Sequence, residues 1–366
     1  MQNIAIKNIG NVAVFDEFHD IYRTAKSIDV CDTKIRPSEI FEKIRQNRAV
    51  VFSGDYDRAE AILWYIHHYE DKLAAADDQD YYESFGMSPN HAAIQRFKVH
   101  RLSYLLKENK MPLLRGGGEE NISDWLPEDV SGQFYLLPAR RHERILTDMQ
   151  RASEGIFFDC IGSAIHIAPF VYVPFDKSVP EMFLAFGDYI KGKKVIDVGT
   201  GTGILAILAV RLGAKSVTAS DINPKAVSCA RENFARSDLG GALSDVVCSD
   251  LFDAIQGEFD TVIFNAPWIQ GEPKNIYEAA IYDPGYKVIS DFFGQAKAHL
   301  SENGTILLQY SDISQANGDG SMDNLGRLLD LHNMRIADSK SILRKNRLAG
   351  AMERVYVFAI KNIRRG

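Results

Sequence analysis

The chain has 366 residues, long for a single hydrophobic core and suited to two domains. With 46% apolar and 25% charged residues it has an ordinary globular composition, which excludes wholesale disorder. The formal net charge of −7 is spread out, with 19 basic against 24 acidic residues over 1–150 and 23 against 25 over 151–366. Neither half has the basic surplus that dominates nucleic-acid affinity.

At the N-terminus, "MQNIAIKNIGN" lacks a basic segment leading into an apolar run, so no secretory signal is expected. No stretch approaches about 18 uninterrupted apolar residues, so no membrane span is expected either. Cys31, Cys160, Cys229 and Cys248 are far apart and lack metal spacing. They read as reduced thiols in a cytoplasmic protein, with no metal site.

From about 37 to 110 the pattern predicts helices. "PSEIFEKIRQNR" opens as a helix start. Ala59, Ile62, Leu63, Ile66 and Tyr69 recur at helical spacing, as do Ile94, Phe97, Leu102, Leu105 and Leu106. "LRGGGEEN" reads as a surface loop and "RRHERILTDMQRA" as a further helix. "FFDCIGSAIHIAPFVYVPF" predicts one or two strands.

Beyond about 185 strands and helices alternate. "KVIDVGT", "SVTASDI", "SDVVCSDLF", "FDTVIFN" and "TILLQYS" read as strands. "GILAILAVRLG", "NPKAVSCARENFARS", "YKVISDFFGQAKAHLSENG" and "MDNLGRLLDLH" read as helices. Two closing strand-like runs, "RIADSKSIL" and "RVYVFAIK", suggest an antiparallel edge hairpin on a mostly parallel sheet. The expected organisation is a mainly helical domain over 1–150, linker strands over 151–184 and an α/β domain over 185–366.

"VIDVGTGTGILA" joins the first strand of that domain to its first helix. Gly199, Gly201 and Gly203 let the backbone turn tightly against a ligand, with the loop amides and the helix N-terminus facing it. Asp221, ending the second strand, can accept both hydroxyls of a ribose. A dinucleotide fingerprint needs glycine where Ile204 stands, which argues against a nicotinamide dehydrogenase. Asp197, two residues before the first glycine, suits a ligand carrying an ammonium and a sulfonium.

The D-x-G-x-G-x-G spacing resembles the first motif of class I S-adenosylmethionine-dependent methyltransferases. That resemblance implies a Rossmann-like seven-stranded sheet with S-adenosylmethionine as cofactor and S-adenosylhomocysteine as product. It gives Asp197 the methionine end and passes Gly199, Thr200, Gly201 and Gly203 beneath it. Asp221, Ile222 and Asn223 would take the ribose and one side of the adenine. Asp250 would reach the adenine amine, with Leu251 on the ring.

"NAPW", Asn265 to Trp268, ends the fourth strand and is similar to the (Asp/Asn/Ser)-Pro-Pro-(Tyr/Phe/Trp) motif of the small-domain, release-factor glutamine N-methyltransferase-like group. It implies transfer to nitrogen. The Asn265 side-chain oxygen and the backbone carbonyl of Ala266 would hold the acceptor N–H groups, Pro267 would fix the turn, and Trp268 would stack on the acceptor. Ala266 departs from the motif, which usually has proline there, and so leaves open a cofactor-binding regulatory protein without catalysis. Phe175 and Asp283 are further candidates for substrate contact. Asp283 equally suits a helix cap. The same resemblance implies that the domain over 1–150 selects the substrate and that the strands over 151–184 cover the cofactor site; a residue set 113–150, with Trp125, Tyr135 and the cluster Arg140–Arg144, is the candidate lid. His166 and His299 are the histidines an O-methyltransferase would need, and both suit structural roles.

The leading expectation is therefore an N-methyltransferase whose acceptor is a small metabolite, with a protein glutamine or a nucleic acid (rRNA, tRNA or DNA) as the alternative. The sequence does not define an oligomeric state.

Overall fold

In the computed structural model, all residues are described except 7–8, 33, 54–55, 75–77, 86–93, 95–97, 108–109, 113–118, 127–129, 131, 174–175, 238, 240, 242, 274, 314–319, 346–351 and 364–366. The chain divides into two compact units, Met1–Met149 and Gln150–Gly366.

The first unit contains β1 (Gln2–Ile6), β2 (Gly10–Val14), α1 (His19–Arg23), β3 (Ile28–Cys31), α2 (Pro37–Arg45), β4 (Ala49–Phe52), α3 (Tyr56–His68), α4 (Asp78–Glu83), β5 (Leu102–Lys107), β6 (Lys110–Pro112), β7 (Glu119–Asn121), β8 (Phe134–Pro138) and the start of α5 (Ala139–Glu154). It is not mainly helical. Six strands form one mixed sheet in the order β1-β2-β8-β5-β4-β3, while β6 and β7 pair separately. Along β4, Val50 and Phe52 enter one apolar cluster, and Ala49 and Val51 enter a second on the opposite face. A strand covered on both faces reads as a continuous apolar run, which periodicity alone does not separate from a short helix.

The "LSYLL" segment shows the same ambiguity. Leu102, Leu105 and Leu106 fit a helix, but Leu102, Tyr104 and Leu106 alternate into one cluster along β5, with Leu105 packed against the other. Ser103, between them, is buried and shares a 2.6 Å hydrogen bond with the Tyr22 hydroxyl. Within the segment expected as a lid, β8 lies inside this sheet, and Tyr135 is fully buried in its core. Trp125 packs against the same core, and Arg140 and Arg144 pair with Glu70 and Asp148. Part of "LRGGGEEN" lies outside the described residues.

Two buried cations hold this unit's connections. Lys98 donates to Asp78 Oδ2 at 2.6 Å and to the carbonyls of Arg45 and Leu73. Arg101 donates to the carbonyls of Asn47 and Thr24 and to the hydroxyls of Thr24 and Tyr82. Buried charge is tolerated when paired and hydrogen-bonded in this way.

The second unit continues with β9 (Ile156–Phe158), β10 (Ser163–Ile165) and α6 (Ser178–Glu181). Next come β11 (Lys194–Val198), α7 (Ile204–Arg211), β12 (Ser216–Asp221), α8 (Pro224–Arg236), β13 (Leu243–Cys248) and β14 (Phe259–Asn265). The chain then runs through α9 (Lys287–Ala296), β15 (Leu300–Ser311), α10 (Ser321–Leu331), β16 (Met334–Lys345) and β17 (Met352–Asn362). Strands β9 and β10 form a two-stranded ribbon, and the other seven form one sheet in the order β13-β12-β11-β14-β15-β17-β16. Strands β11 to β15 are parallel; β17 is antiparallel to both its neighbours. The helix expected to run to Asn303-Gly304 stops at Ala296. A short 3-10 turn follows, and β15 begins at Leu300.

Alternation along β14 and β15 decides what faces the site. Phe264 and Ala266, with Leu308 and Tyr310, enter the cluster beneath α9 and α10. Asn265 and Gln309, one position out of phase, point to the opposite face. The strand order reverses between β11 and β14, the place where open α/β sheets bind ligands.

Candidate active site

The loop after β11 turns on three residues with positive φ, Gly199 at 66°, Gly201 at 55° and Gly203 at 84°. A Cβ on Gly203 would lie 3.2 Å from the Ala230 backbone, and one on Gly201 would lie 3.1 Å from the Tyr172 carbonyl. Glycine is thus required both for φ and for close packing.

Three of the loop's amides bond within the fold. The N–H of Thr200 donates to the Ser220 carbonyl, that of Gly201 to Asp221 Oδ2, and that of Gly203 to the Thr200 carbonyl. These three donors are used internally and do not face a ligand. Asp197 is 1% exposed, and its Oδ2 accepts from the Thr200 hydroxyl at 2.7 Å and from the Ala206 N–H at 3.1 Å. It therefore braces the loop and caps the first turn of α7, a role independent of any ligand ammonium. Burial pushes its carboxyl up to about 7; the bonds from Thr200 and Ala206 oppose the shift and nearby Asp221 adds to it.

Asp221 closes the loop from the neighbouring strand. Its Oδ2 accepts from Gly201 at 2.8 Å and its Oδ1 from the Asn223 N–H at 2.9 Å. Burial raises its pKa against those two bonds. Asn223 caps α8 by accepting from the Lys225 N–H, and its Nδ2 donates to the Phe170 carbonyl. Beside them Ile222 is 49% exposed, an apolar side chain left on the surface at the mouth of the switch point. Asp250 is exposed, and Leu251 takes a positive φ of 44°.

A recess, part of it open to solvent, lies between this loop and the ends of β14 and β15. Tyr172, Val179 and Pro180 form one wall, the loop from Gly199 to Thr202 another, and Asn265 and Gln309 the floor. Three buried polar atoms on these walls have no hydrogen-bond partner: Thr202 Oγ1, Asn265 Oδ1 and Gln309 Oε1. Buried polar groups are seldom left unpaired, and each such group costs about 1–3 kcal/mol. Two of the three are amide oxygens, which accept and cannot donate. These oxygens suit a ligand that brings hydrogen-bond donors.

Other sequence-derived candidates fall differently. Ala266 and Pro267 are buried after Asn265, and Trp268 is 8% exposed within the apolar cluster of β14, β15, α9 and α10. The indole is packed, not presented as an open platform. Asp283 is fully buried, with Oδ1 accepting from the Val288 N–H at 2.8 Å and Oδ2 from Ile289 at 3.1 Å. It caps α9 and is not placed for substrate contact; burial raises its pKa. Phe175 lies outside the described residues. His166 Nδ1 bonds the Ala152 carbonyl, and His299 bonds the Gly257 carbonyl while stacking on Phe252. Among the described residues no group of His, Cys, Asp and Glu has metal-binding geometry, and no helix is long and apolar enough to cross a membrane. Thr202 and Gln309 were not singled out from sequence. Gln309 does carry a signal, since it is the one amide within the apolar run "TILLQYS".

The strand order, the antiparallel penultimate strand and the glycine loop at the switch point define a class I methyltransferase sheet. Residues 185–306 match the family profile described as Ribosomal protein L11 methyltransferase (PrmA). A "Putative protein N5-glutamine methyltransferase" of Methanocaldococcus jannaschii is 28% identical over 159 residues, which cover 42% of this chain and 78% of that protein. The Ribosomal protein L11 methyltransferase of Thermotoga maritima is 34% identical over 149 residues, 39% of this chain and 50% of its own length. By sequence the chain covers half or less of the length of seven Ribosomal protein L11 methyltransferases. A solved ribosomal protein L11 methylase of Lactobacillus delbrueckii superposes with a TM-score of 0.39 at 23% identity, covering 55% of this chain and 86% of that one. The sheet unit is an S-adenosylmethionine-dependent methyltransferase domain.

Proposed function

We propose that the protein transfers a methyl group from S-adenosylmethionine to a nitrogen of a protein side chain, with Asn265 holding the acceptor. The observation that carries this reading is the buried, unpartnered Oδ1 of Asn265 on the floor of the recess. Two relatives by sequence bear on the acceptor class: one is named a Ribosomal protein L11 methyltransferase and the other a putative protein N5-glutamine methyltransferase. The small metabolite that leads on sequence grounds finds no support among them.

When bound, the cofactor supplies a methyl carbon activated by a sulfonium. The chain's own work is alignment. Asp221 and Ile222 would take the ribose and adenine, with Asp250 and Leu251 on the next strand end. Asp197 holds the glycine loop in shape while Thr202 faces the recess. Asn265 Oδ1 accepts an N–H of the incoming nitrogen and turns its lone pair toward the methyl carbon. The same oxygen stabilises the positive charge that grows on that nitrogen. Once methylated the nitrogen is more acidic and loses its proton without a dedicated strong base.

The test is methylation of a cell protein extract with methyl-labelled S-adenosylmethionine, followed by hydrolysis and identification of the labelled residue. Label in an N-methylated side chain supports the reading. Label in nucleic acid or in small molecules overturns the acceptor class. Turnover unchanged by Asn265→Ala overturns the role of Asn265. The reading as a regulatory protein without catalysis predicts cofactor binding with no label transferred to any acceptor.

A further inference from the structure

On the strength of that reading, we infer that Gln309 is a second acceptor-holding residue, which pairs with Asn265 to grip two N–H groups of one nitrogen. Three observations carry the inference. First, Asn265 and Gln309 are register partners on adjacent parallel strands, so their side chains leave the sheet on the same face. Second, both line the recess, and the side-chain oxygen of each is buried without a partner. Third, the Gln309 amide is fixed in orientation: its Nε2 donates to the Val179 carbonyl at 3.0 Å, which leaves Oε1 as the unpaired end.

The spacing suits the chemistry. Neighbouring strands lie about 4.8 Å apart. Two oxygens each about 2.9 Å from a tetrahedral nitrogen are roughly 4.7 Å apart. Side chains leaving adjacent strands in register can therefore reach both hydrogens of an –NH₂ group without bending. Two fixed acceptors also discriminate. A nitrogen already methylated once has only one N–H to offer and leaves one oxygen buried and unpaired. The pair therefore favours primary nitrogens over their monomethylated products, and so favours a single transfer. Gln309 then stands in for the backbone carbonyl of Ala266, the other acceptor that the motif suggests, and is a side chain whose removal can be measured.

Sinefungin provides a probe that needs no knowledge of the acceptor. It carries a carbon-borne ammonium where the sulfonium methyl stands in the cofactor, while S-adenosylhomocysteine has nothing there. Calorimetric titration of both ligands into the full chain and its variants reads the ratio of their affinities. Gln309→Met should weaken sinefungin about tenfold relative to S-adenosylhomocysteine, the cost of one lost hydrogen bond to a charged group. Gln309→Glu, whose protonated carboxyl still donates to Val179 and still turns an oxygen to the recess, should restore the ratio. An equal loss of both ligands in Gln309→Met would place the oxygen at the amino-acid end of the cofactor and overturn the inference. An unchanged ratio would overturn it as well. Asn265→Ala in the same titration separates the two ideas. If it changes the ratio and Gln309→Met does not, the inference fails and the role of Asn265 stands. If neither changes it, both fail.

Discussion

Asp221 Oδ2 accepts the Gly201 N–H at 2.8 Å, so the carboxylate that ends β12 also holds the glycine loop that leaves β11. One side chain thus shapes the loop and is also the proposed ribose contact. Its removal has two effects in one direction. Asp221→Ala should weaken S-adenosylhomocysteine binding roughly 10- to 100-fold, the range for hydrogen bonds to a charged group. Isothermal titration measures it. Turnover at saturating cofactor should fall much less.

Asn265→Ala should do the opposite. Turnover should fall about 10²- to 10³-fold, the scale seen when one charge-stabilising partner is removed from a reacting centre. Affinity for S-adenosylhomocysteine should stay within about threefold. Steady-state kinetics with the labelled acceptor, paired with titration, separates the two.

Asp197 predicts a pH dependence of stability. Its ordinary value of 3.8 holds in the unfolded chain, and burial raises it to about 7 in the fold. Between these values the folded protein keeps a proton that the unfolded chain has lost. The stability linked to this group is fully present below about pH 4 and is lost as pH rises through about 7. Between pH 5 and 7.5 the Tm should carry a falling component on the order of 5 °C, absent from Asp197→Asn. Differential scanning calorimetry across that range checks it. If a ligand ammonium meets this carboxylate, S-adenosylhomocysteine affinity should rise over the same window in the native protein alone.

Asp283 should matter to stability and not to recognition. Asp283→Ala removes the acceptor of two amides at the start of α9 and should cost about 1–2 kcal/mol. Denaturant unfolding would show it. The acceptor KM of the folded variant should be unchanged, which a residue touching substrate would not allow.

Asp78→Ala should destabilise the first unit more. It strips Lys98 of its only carboxylate among the described contacts and leaves a buried ammonium, already lowered in pKa by burial, against two carbonyls. Breaking a buried pair from one side costs about 3–5 kcal/mol. Fluorescence of Trp125, packed against that unit's core, would follow the shift in urea midpoint.

The second unit was readable because its signals agree across levels. Val195, Ile196 and Val198 read as a strand, three glycines need their turn, and Ile204 opens a helix, so each local reading supports the next. The first unit misled because "AVVF" and "LSYLL" are short apolar runs that suit a helix or a doubly covered strand. Only pairing with β3, β5 and β8 chooses between them. At the site, residue type was legible and exposure was not. Asp197 and Asp283 look like ligand contacts because carboxylates are costly to bury, yet both are satisfied by helix amides. Trp268 looked like a platform until Phe264 and Ala266 placed its surroundings in the core. Gln309 needed its register partner, which no local pattern names.

The position of β17 between β15 and β16 has a kinetic consequence. As the chain leaves the ribosome, β15 is complete about 40 residues before its outer partner arrives, and its far edge stays bare meanwhile. β16 emerges first yet cannot dock, because the strand it pairs with has not yet been made. The parallel half of the sheet can form early, whereas closure of its antiparallel margin waits for residues 352–362. Such late, non-local pairing is slow, and it makes this margin the step at which refolding should stall or self-associate.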